Sequence, residues 1–357
     1  MKTLITAALV LQASLAAAAA PPSALAPMWE ATTAAARAGG FHGRLIVADA
    51  ATSHGEDIGA GTSAGDPIWR WASVTKQLVA TLVMQEVDRG TVTLDTPIRA
   101  YAPRLKVANA DRVTLRQLLQ HTSGLPNDYD GPFNAAGTSP LLFERSAPAL
   151  GPGIKAICAG PAKAEPGARF EYNNCDTEVA GAVLEAVTGM PVAKLLETRL
   201  FAPLGMRDVR LLKAGDPAGH SGTFADGSGD DFIDVGRYGA AGGVAGPPDM
   251  LALFDQALLA GRLMSPAARA EMWKGEPKFG FAALGQWVYT VPLAGCAEPV
   301  ELVERRGSIG GIEIRNVIAP AKGRIVIAFA DRPVDFGEPW QGKGLTYDLL
   351  SAALCKA

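Results

Sequence analysis

The sequence has little that would tie it to nucleic acid, a metal ion or a membrane interior. Its 33 Lys and Arg are outnumbered by 36 Asp and Glu, a net charge of −3. No basic block follows a phosphate backbone, so nucleic acid is not an expected partner. Histidine is scarce: His42, His54, His121 and His220 show no zinc spacing, and no Cys-x-x-Cys pair occurs. Neither a metal nor a cofactor is expected. Past the N-terminus no stretch reaches the roughly 20 apolar residues that span a bilayer, and no internal repeat occurs. What remains is a globular chain of 357 residues, 48% hydrophobic, enough for one large domain or two small ones.

The N-terminus reads Met1-Lys2-Thr3, an apolar run from Leu4 to Leu15, then alanines 16–20 before Pro21-Pro22. This is the pattern of a secretory signal, so residues 1–20 are expected to be removed and the mature chain to be periplasmic or secreted. An uncleaved N-terminal anchor is the weaker alternative, because the run is short and ends in small residues. Cys158, Cys175, Cys296 and Cys355 then allow two disulfides in three pairings. Cys158–Cys175 is preferred because it closes a short Pro/Gly-rich loop, worth about 3 kcal/mol in the chain-entropy model. Cys296–Cys355 is the remainder, and four free thiols are the alternative.

Periodicity predicts helices over Met28–Arg37, from Ser73 to a stop at Gly90, and over Thr114–His121, Asp176–Val187, Pro191–Leu200, Pro248–Leu259 and Leu345–Cys355. Strands are expected at Gly43–Asp49, Phe279–Val291, Val300–Arg305, Glu313–Ile318 and Arg324–Ala330. Ser53–Pro67 reads as turns, and the Gly- and Asp-rich stretch Ala214–Gly246 as a surface excursion shaping a cleft. Strands at both ends and helices between them predict an α+β fold. The sheet part is placed at about residues 21–72 and 275–357, and an inserted helical part at about 73–274.

Within Trp71-Ala72-Ser73-Val74-Thr75-Lys76-Gln77, a serine and a lysine lie three residues apart at the start of the second helix, hence on one face. Free N–H groups and the positive dipole end there suit an attacking alkoxide and the oxyanion it creates. An isolated Ser-x-x-Lys is more often a cap followed by a solvated lysine. Downstream blocks change that balance.

Pro166-Gly167-Ala168-Arg169-Phe170-Glu171-Tyr172-Asn173-Asn174 resembles the second motif of serine β-lactamases and penicillin-binding proteins, in the Tyr-x-Asn form of class C β-lactamases and related esterases. Leu118–Pro126, Phe201–Met206 and Ala241–Val244 with Asp249 are similar to further blocks of that superfamily, so the resemblance runs from about residue 30 to the end. It implies a β-lactamase-like fold, an antiparallel sheet flanked by helices. At the third motif, Glu304-Arg305-Arg306-Gly307-Ser308-Ile309-Gly310-Gly311, Arg305 stands where the family usually has Lys or His. Arginine keeps the charge, cannot lose its proton and prefers forked contacts.

The resemblance implies that Ser73 carries the acyl group, Lys76 holds its proton balance and Tyr172 is the general base. Lys76, desolvated beside Arg305, is the alternative base. A tyrosine of pKa about 10 needs roughly 4 kcal/mol to be anionic near neutrality. Two cations about 4 Å away supply up to about 4 kcal/mol each at an effective dielectric near 20. Asn174 is expected to bond Lys76 and a substrate amide, and the N–H groups of Ser73 and Ser308, the latter beside Gly307, to form an oxyanion hole. Arg305 and Arg306 together are expected to hold a substrate carboxylate, unless they are a solvated strand edge.

The expected partner is a small-molecule or peptide acyl donor: a β-lactam, a D-alanyl peptide or a small carboxylic ester. A carboxylesterase of the same fold and a poorly catalytic binding module are the rival readings. Gly61-Thr62-Ser63-Ala64-Gly65 matches a nucleophile elbow, and Gly59-Ala60-Gly61 with Ala64 a dinucleotide fingerprint, but both lack a strand before and a helix after. His121 is expected to be structural, at a helix end.

Overall fold

The computed structural model describes residues 20–59, 68–130 and 156–356. The signal-like segment, Ser63 and most of the two Gly-rich matches fall outside those residues. Six antiparallel strands form the main sheet: β1 (Gly43–Asp49), β2 (Ser53–Ile58), β6 (Trp287–Val291), β7 (Val300–Ile309), β8 (Ile312–Ala319) and β9 (Arg324–Ala330). Their order is β2-β1-β9-β8-β7-β6, so the N-terminal hairpin is added to the edge of a C-terminal meander. Three short strands, β3 (Trp69–Arg70), β4 (Arg210–Leu211) and β5 (Val244–Gly246), make a second sheet in the order β3-β5-β4.

Both faces of the main sheet are covered, and the strand sequences show why. Alternate side chains of a strand point to opposite faces. In β9, Ile325, Ile327 and Phe329 join one core, whereas Val326, Ala328 and Ala330 join the other. The second core is closed by α1 (Ala26–Ala38) and the C-terminal helix Leu345–Cys355, which pack together. The first receives the helical body: α2 (Thr75–Asp88), α3 (Leu115–Leu119), α4 (Asn174–Thr188), α5 (Val192–Leu196), α6 (Asp249–Leu259) and α7 (Pro266–Met272), with the C-terminal helix as α8. The α+β expectation is met.

Local chemistry sets the helix ends. Thr114 and Gln117 form a reciprocal capping box on α3, and the Asn173 side chain caps α4 at Cys175 N, 2.8 Å. Gly189, at φ +68°, stops α4. Cys158–Cys175 and Cys296–Cys355 are both formed, the pairing preferred from the sequence. Such bridges belong to oxidising compartments. Among the described residues no single helix is long and apolar enough to cross a membrane.

Three expectations need correction. Ser53–Ile58 is a strand, β2, whose residues pair along β1 from Gly43↔Ile58 to Ala48↔Ser53; its polar sequence reflects an edge strand with little buried surface. The strand expected over Phe279–Val291 begins only at Trp287, because a turn at Pro277–Phe279 and left-handed Gly280 and Phe281 interrupt it. Ala214–Gly246 is more than a surface excursion: its end, from Ala240 to Gly246, is buried and supplies β5. Small residues gave that segment no hydrophobic signature, yet they let it pack against α2 and α4.

Candidate active site

Ser73 lies in a single 3-10 turn, Ala72–Val74, that runs into α2. The preceding residue, Ala72, has φ +47°, a left-handed conformation costing a non-glycine residue about 1–3 kcal/mol. Neighbouring contacts hold the turn. Trp71 donates its backbone N–H to Val244 O at 2.8 Å and its indole N–H to Gly246 O at 3.1 Å, so the turn is pinned to β5. From the other side, Gly307 of β7 approaches so closely that a Cβ there would lie 2.9 Å from Trp71 O and 3.2 Å from Ala72 Cβ. Only glycine lets β7, and with it Ser308, sit against the Ser73 turn.

Lys76, one helical turn on, is 1% exposed. Its Nζ lies 3.0 Å from Ser73 Oγ and donates to Asn174 Oδ1 and to Ala241 O, each at 2.7 Å. Asn174 in turn donates from Nδ2 to both Asp128 carboxyl oxygens at 3.1 and 3.2 Å. Being 2% exposed, Asn174 serves Lys76 rather than presenting an open amide to a substrate. Tyr172 is held by its own carbonyl, which accepts from Asn127 Nδ2 at 2.7 Å, and its hydroxyl lies 2.6 Å from Ser73 Oγ. Arg305 completes the ring: Nη2 donates to the Tyr172 hydroxyl and Nε to Ser73 O, both at 2.7 Å.

The electrostatics follow from burial and from two cations. Burial alone would raise the Tyr172 pKa, but Arg305 and Lys76 outweigh it and bring the phenol down to about 8. Burial, with Arg305 adding repulsion, lowers Lys76. His121, whose ring centroid is 4.7 Å from that of Tyr172, is pushed well below its ordinary value by burial and by Arg305 and Lys76. Asp176, 3.4 Å from His121 Nδ1 and bonded by the Ser123 hydroxyl, is pushed well above its own by burial. His121, beside Tyr172, and Asp176 are both buried.

Hydrogen-bond capacity adds a constraint. As an ammonium, Lys76 donates to Ser73, and the Ser73 proton can go to a phenolate at Tyr172. As a neutral amine, Lys76 donates to Asn174 and Ala241 and accepts from Ser73, while Tyr172 keeps its proton. The two placements hold the same number of protons, so the pair titrates as one unit across the Ser73 hydroxyl.

Arg305 and Arg306 do not form a shared carboxylate clamp. Adjacent strand residues face opposite sides of the sheet, and the two arginines obey that rule. Arg305 turns to Ser73; Arg306 binds Glu304 at 2.8 and 3.0 Å and Glu338 at 2.7 and 2.6 Å, which takes four of its five N–H donors. A cavity of about 280 Å³ is lined by Ser73, Tyr172, Trp287, Gly307, Ser308, Glu313 and Arg315, and both Arg305 and Arg306 reach it. Ser73, Lys76, Tyr172, Asn174 and Arg305 are thus brought together, with Gly307 and Ser308 beside them. Asn127, Asp128, Ala241, Trp287 and Arg315 were not foreseen. Asn127 and Asp128 directly follow the Leu118–Pro126 block, the one signal that could have found them.

Fold and cluster together are those of the β-lactamase-fold family of serine hydrolases. The chain belongs to the beta-lactamase family, whose family model matches residues 27–336. It is 33% identical over 157 residues to esterase EstB of Burkholderia gladioli, covering 42% of this chain and 40% of that one. It is 28% identical over 274 residues to the D-alanyl-D-alanine-carboxypeptidase/endopeptidase AmpH of Escherichia coli K12, covering 72% and 69% of the two chains. Among solved structures, a D-stereospecific amidohydrolase from Streptomyces superposes with TM-score 0.73 at 24% identity, over 92% of this chain and 99% of that one. The D-amino acid amidase of Ochrobactrum anthropi superposes with TM-score 0.72 at 22% identity, over 92% and 97%. At these identities the structures speak to the fold alone.

Proposed function

We propose that the protein is an exported serine hydrolase that works through an acyl-serine at Ser73 on β-lactam, D-alanyl peptide or related acyl donors. One observation carries this reading: Ser73 Oγ lies at once 2.6 Å from the Tyr172 hydroxyl and 3.0 Å from Lys76 Nζ. A nucleophile with its proton acceptor already in contact is what acyl transfer requires. Ser73 Oγ attacks the acyl carbon, its proton passes to the Lys76/Tyr172 pair, and the oxyanion is met by the N–H groups of Ser73 and Ser308. The acyl bond to the leaving group then breaks, and the leaving group takes the proton. Water, deprotonated by the same pair, releases the acid and returns the proton to Ser73.

The signal-like N-terminus and the two disulfides support export. Arg305 fits its unusual place, since one guanidinium reaches both the Ser73 carbonyl and the Tyr172 hydroxyl. That favours a turning-over enzyme over a binding module. The likeness to an esterase over 157 residues favours small carboxylic esters as the second class of donor.

The test is covalent. The mature protein is treated with a penicillin and with a fluorophosphonate, and the adduct is mapped by mass spectrometry. Labelling at Ser73 is expected; labelling at Ser63 or elsewhere overturns the assignment. Rates on p-nitrophenyl butyrate and a chromogenic cephalosporin then separate ester from β-lactam hydrolysis.

A further inference from the structure

Beside the Ser73 cavity lies a second one, of about 370 Å³, whose walls include Phe281, Trp287, Tyr289, Arg306 and Trp340. In a chain only 7% aromatic, four rings gather here. The two cavities share Trp287 and Arg306. Trp287 is the partition: its ring lies 6.3 Å from that of Tyr172 at an interplanar angle of 15°, on the Ser73 side. Tyr289 and Trp340 meet edge to face at 5.5 Å on the other.

Two features mark this cavity as more than a gap in packing. Among the described residues three large apolar side chains are exposed, and two of them, Phe281 at 45% and Trp340 at 56%, stand on its rim. Phe281 is also held at φ +63°, a conformation unfavourable for a bulky residue. A strained backbone that keeps a phenyl ring in the open is a feature of binding sites rather than of cores. Trp340 is fixed in turn, because Glu338, two residues before it, binds the Arg306 fork and the guanidinium lies 5.2 Å from the indole.

The chemistry of the walls selects the ligand. Among the described residues Arg306 is the only charged group of the lining, and Glu304 and Glu338 accept four hydrogen bonds from it. The Tyr289 hydroxyl donates to Glu304 at 2.6 Å. What is left to a ligand is mainly ring faces and edges, with the exposed Thr290 beside them, which suit an aromatic group, and the volume lies toward the small end of ligand pockets, about 300–1,000 Å³.

We infer that this cavity is the subsite for an aromatic substituent on the acyl donor, with Phe281, Trp287 and Trp340 setting specificity. The inference rests on the acyl-serine reading for where the donor's carbonyl sits. Its test needs no chemistry at residue 73.

Ser73→Ala protein is titrated calorimetrically with N-phenylacetyl-D-alanine and N-acetyl-D-alanine, which differ only in the ring. The phenylacetyl compound is expected to bind about 30-fold tighter, and Phe281→Ala or Trp340→Ala, added singly, to reduce that ratio to about 3. Affinity for the acetyl compound should hold in all three proteins. Equal affinities, no binding of either compound, or a ratio that survives both substitutions overturns the subsite. Covalent labelling of wild-type Ser73 reports separately on the acyl-serine: labelling without a ring preference sinks only the subsite, and a ring preference without labelling sinks only the acyl-serine.

Discussion

Arg305 donates from Nη2 to the Tyr172 hydroxyl at 2.7 Å, so a strand of the sheet and the loop leading into α4 meet through one charge-assisted bond. The same guanidinium reaches the Ser73 carbonyl, so Ser73, Tyr172 and Arg305 form one hydrogen-bonded unit.

The first prediction concerns pH. Burial would raise Tyr172, but Arg305 and Lys76 bring it to about 8, and a base works only after losing its proton. kcat/KM is therefore expected to rise with pH through about 8. Arg305→Gln removes a cation, so the rising limb should move up toward 10 and the rate at pH 7.5 fall about 10- to 100-fold. Superimposable profiles for wild type and Arg305→Gln would show that this charge does not set the base.

Gly307→Ala tests the approach of β7 to the nucleophile turn. The new methyl would sit 2.9 Å from Trp71 O, and the backbone must give way. A loss of about 1–3 kcal/mol in stability is expected, together with a fall of about 10²-fold in the rate of Ser73 acylation. Thermal denaturation and stopped-flow labelling read the two separately, and normal acylation in a destabilised protein would remove Gly307 from the site.

Asp255 on α6 is buried and bonded to Asn316 Nδ2 at 3.2 Å, and Asn316 also donates to Gln77 Oε1 at 3.1 Å. Burial, only partly offset by Asn316, pushes the Asp255 pKa from 3.8 to about 8. The folded state thus keeps a proton that the unfolded chain releases near pH 4. That contribution is fully present below about 4 and is lost as pH rises to about 8, on the order of 5 kcal/mol in all. Urea unfolding from pH 4 to 9 should show the decline, and Asp255→Asn should flatten it. An unchanged slope in the variant would rule Asp255 out as its source.

The two disulfides should separate stability from activity. Cys175 follows Asn174 in the first turn of α4, so Cys158→Ser with Cys175→Ser should cost about 3 kcal/mol and also lower kcat/KM. Cys296–Cys355 ties the loop after β6 to the end of α8, behind the sheet from Ser73. Its removal should cost about 4 kcal/mol while leaving kcat/KM of the folded enzyme unchanged. Steady-state kinetics beside denaturant unfolding decides, and equal kinetic losses from both pairs would contradict this division.

Much of this could be read from the sequence because the site is carried by short blocks with strong local signals. Ser73 and Lys76 come as one helical turn, and Tyr172 and Asn174 flank the cap of α4. Several of the misses share a cause: backbone groups and sheet faces leave no residue-type signature. Nothing in Ala241 announces that its carbonyl receives Lys76. Tandem arginines look like a clamp until strand alternation sends Arg306 to Glu304 and Glu338. Trp287 looks like an ordinary strand aromatic until the fold places it between two cavities.

Lys76 meets the Ala241 carbonyl across 165 residues of chain, and Arg305 meets that of Ser73 across 232. No contiguous fragment shorter than about two thirds of the protein contains even that second contact. The arrangement around Ser73 is therefore a property of the whole fold, and during refolding it is complete only once residues 73, 76, 241 and 305 have been brought together.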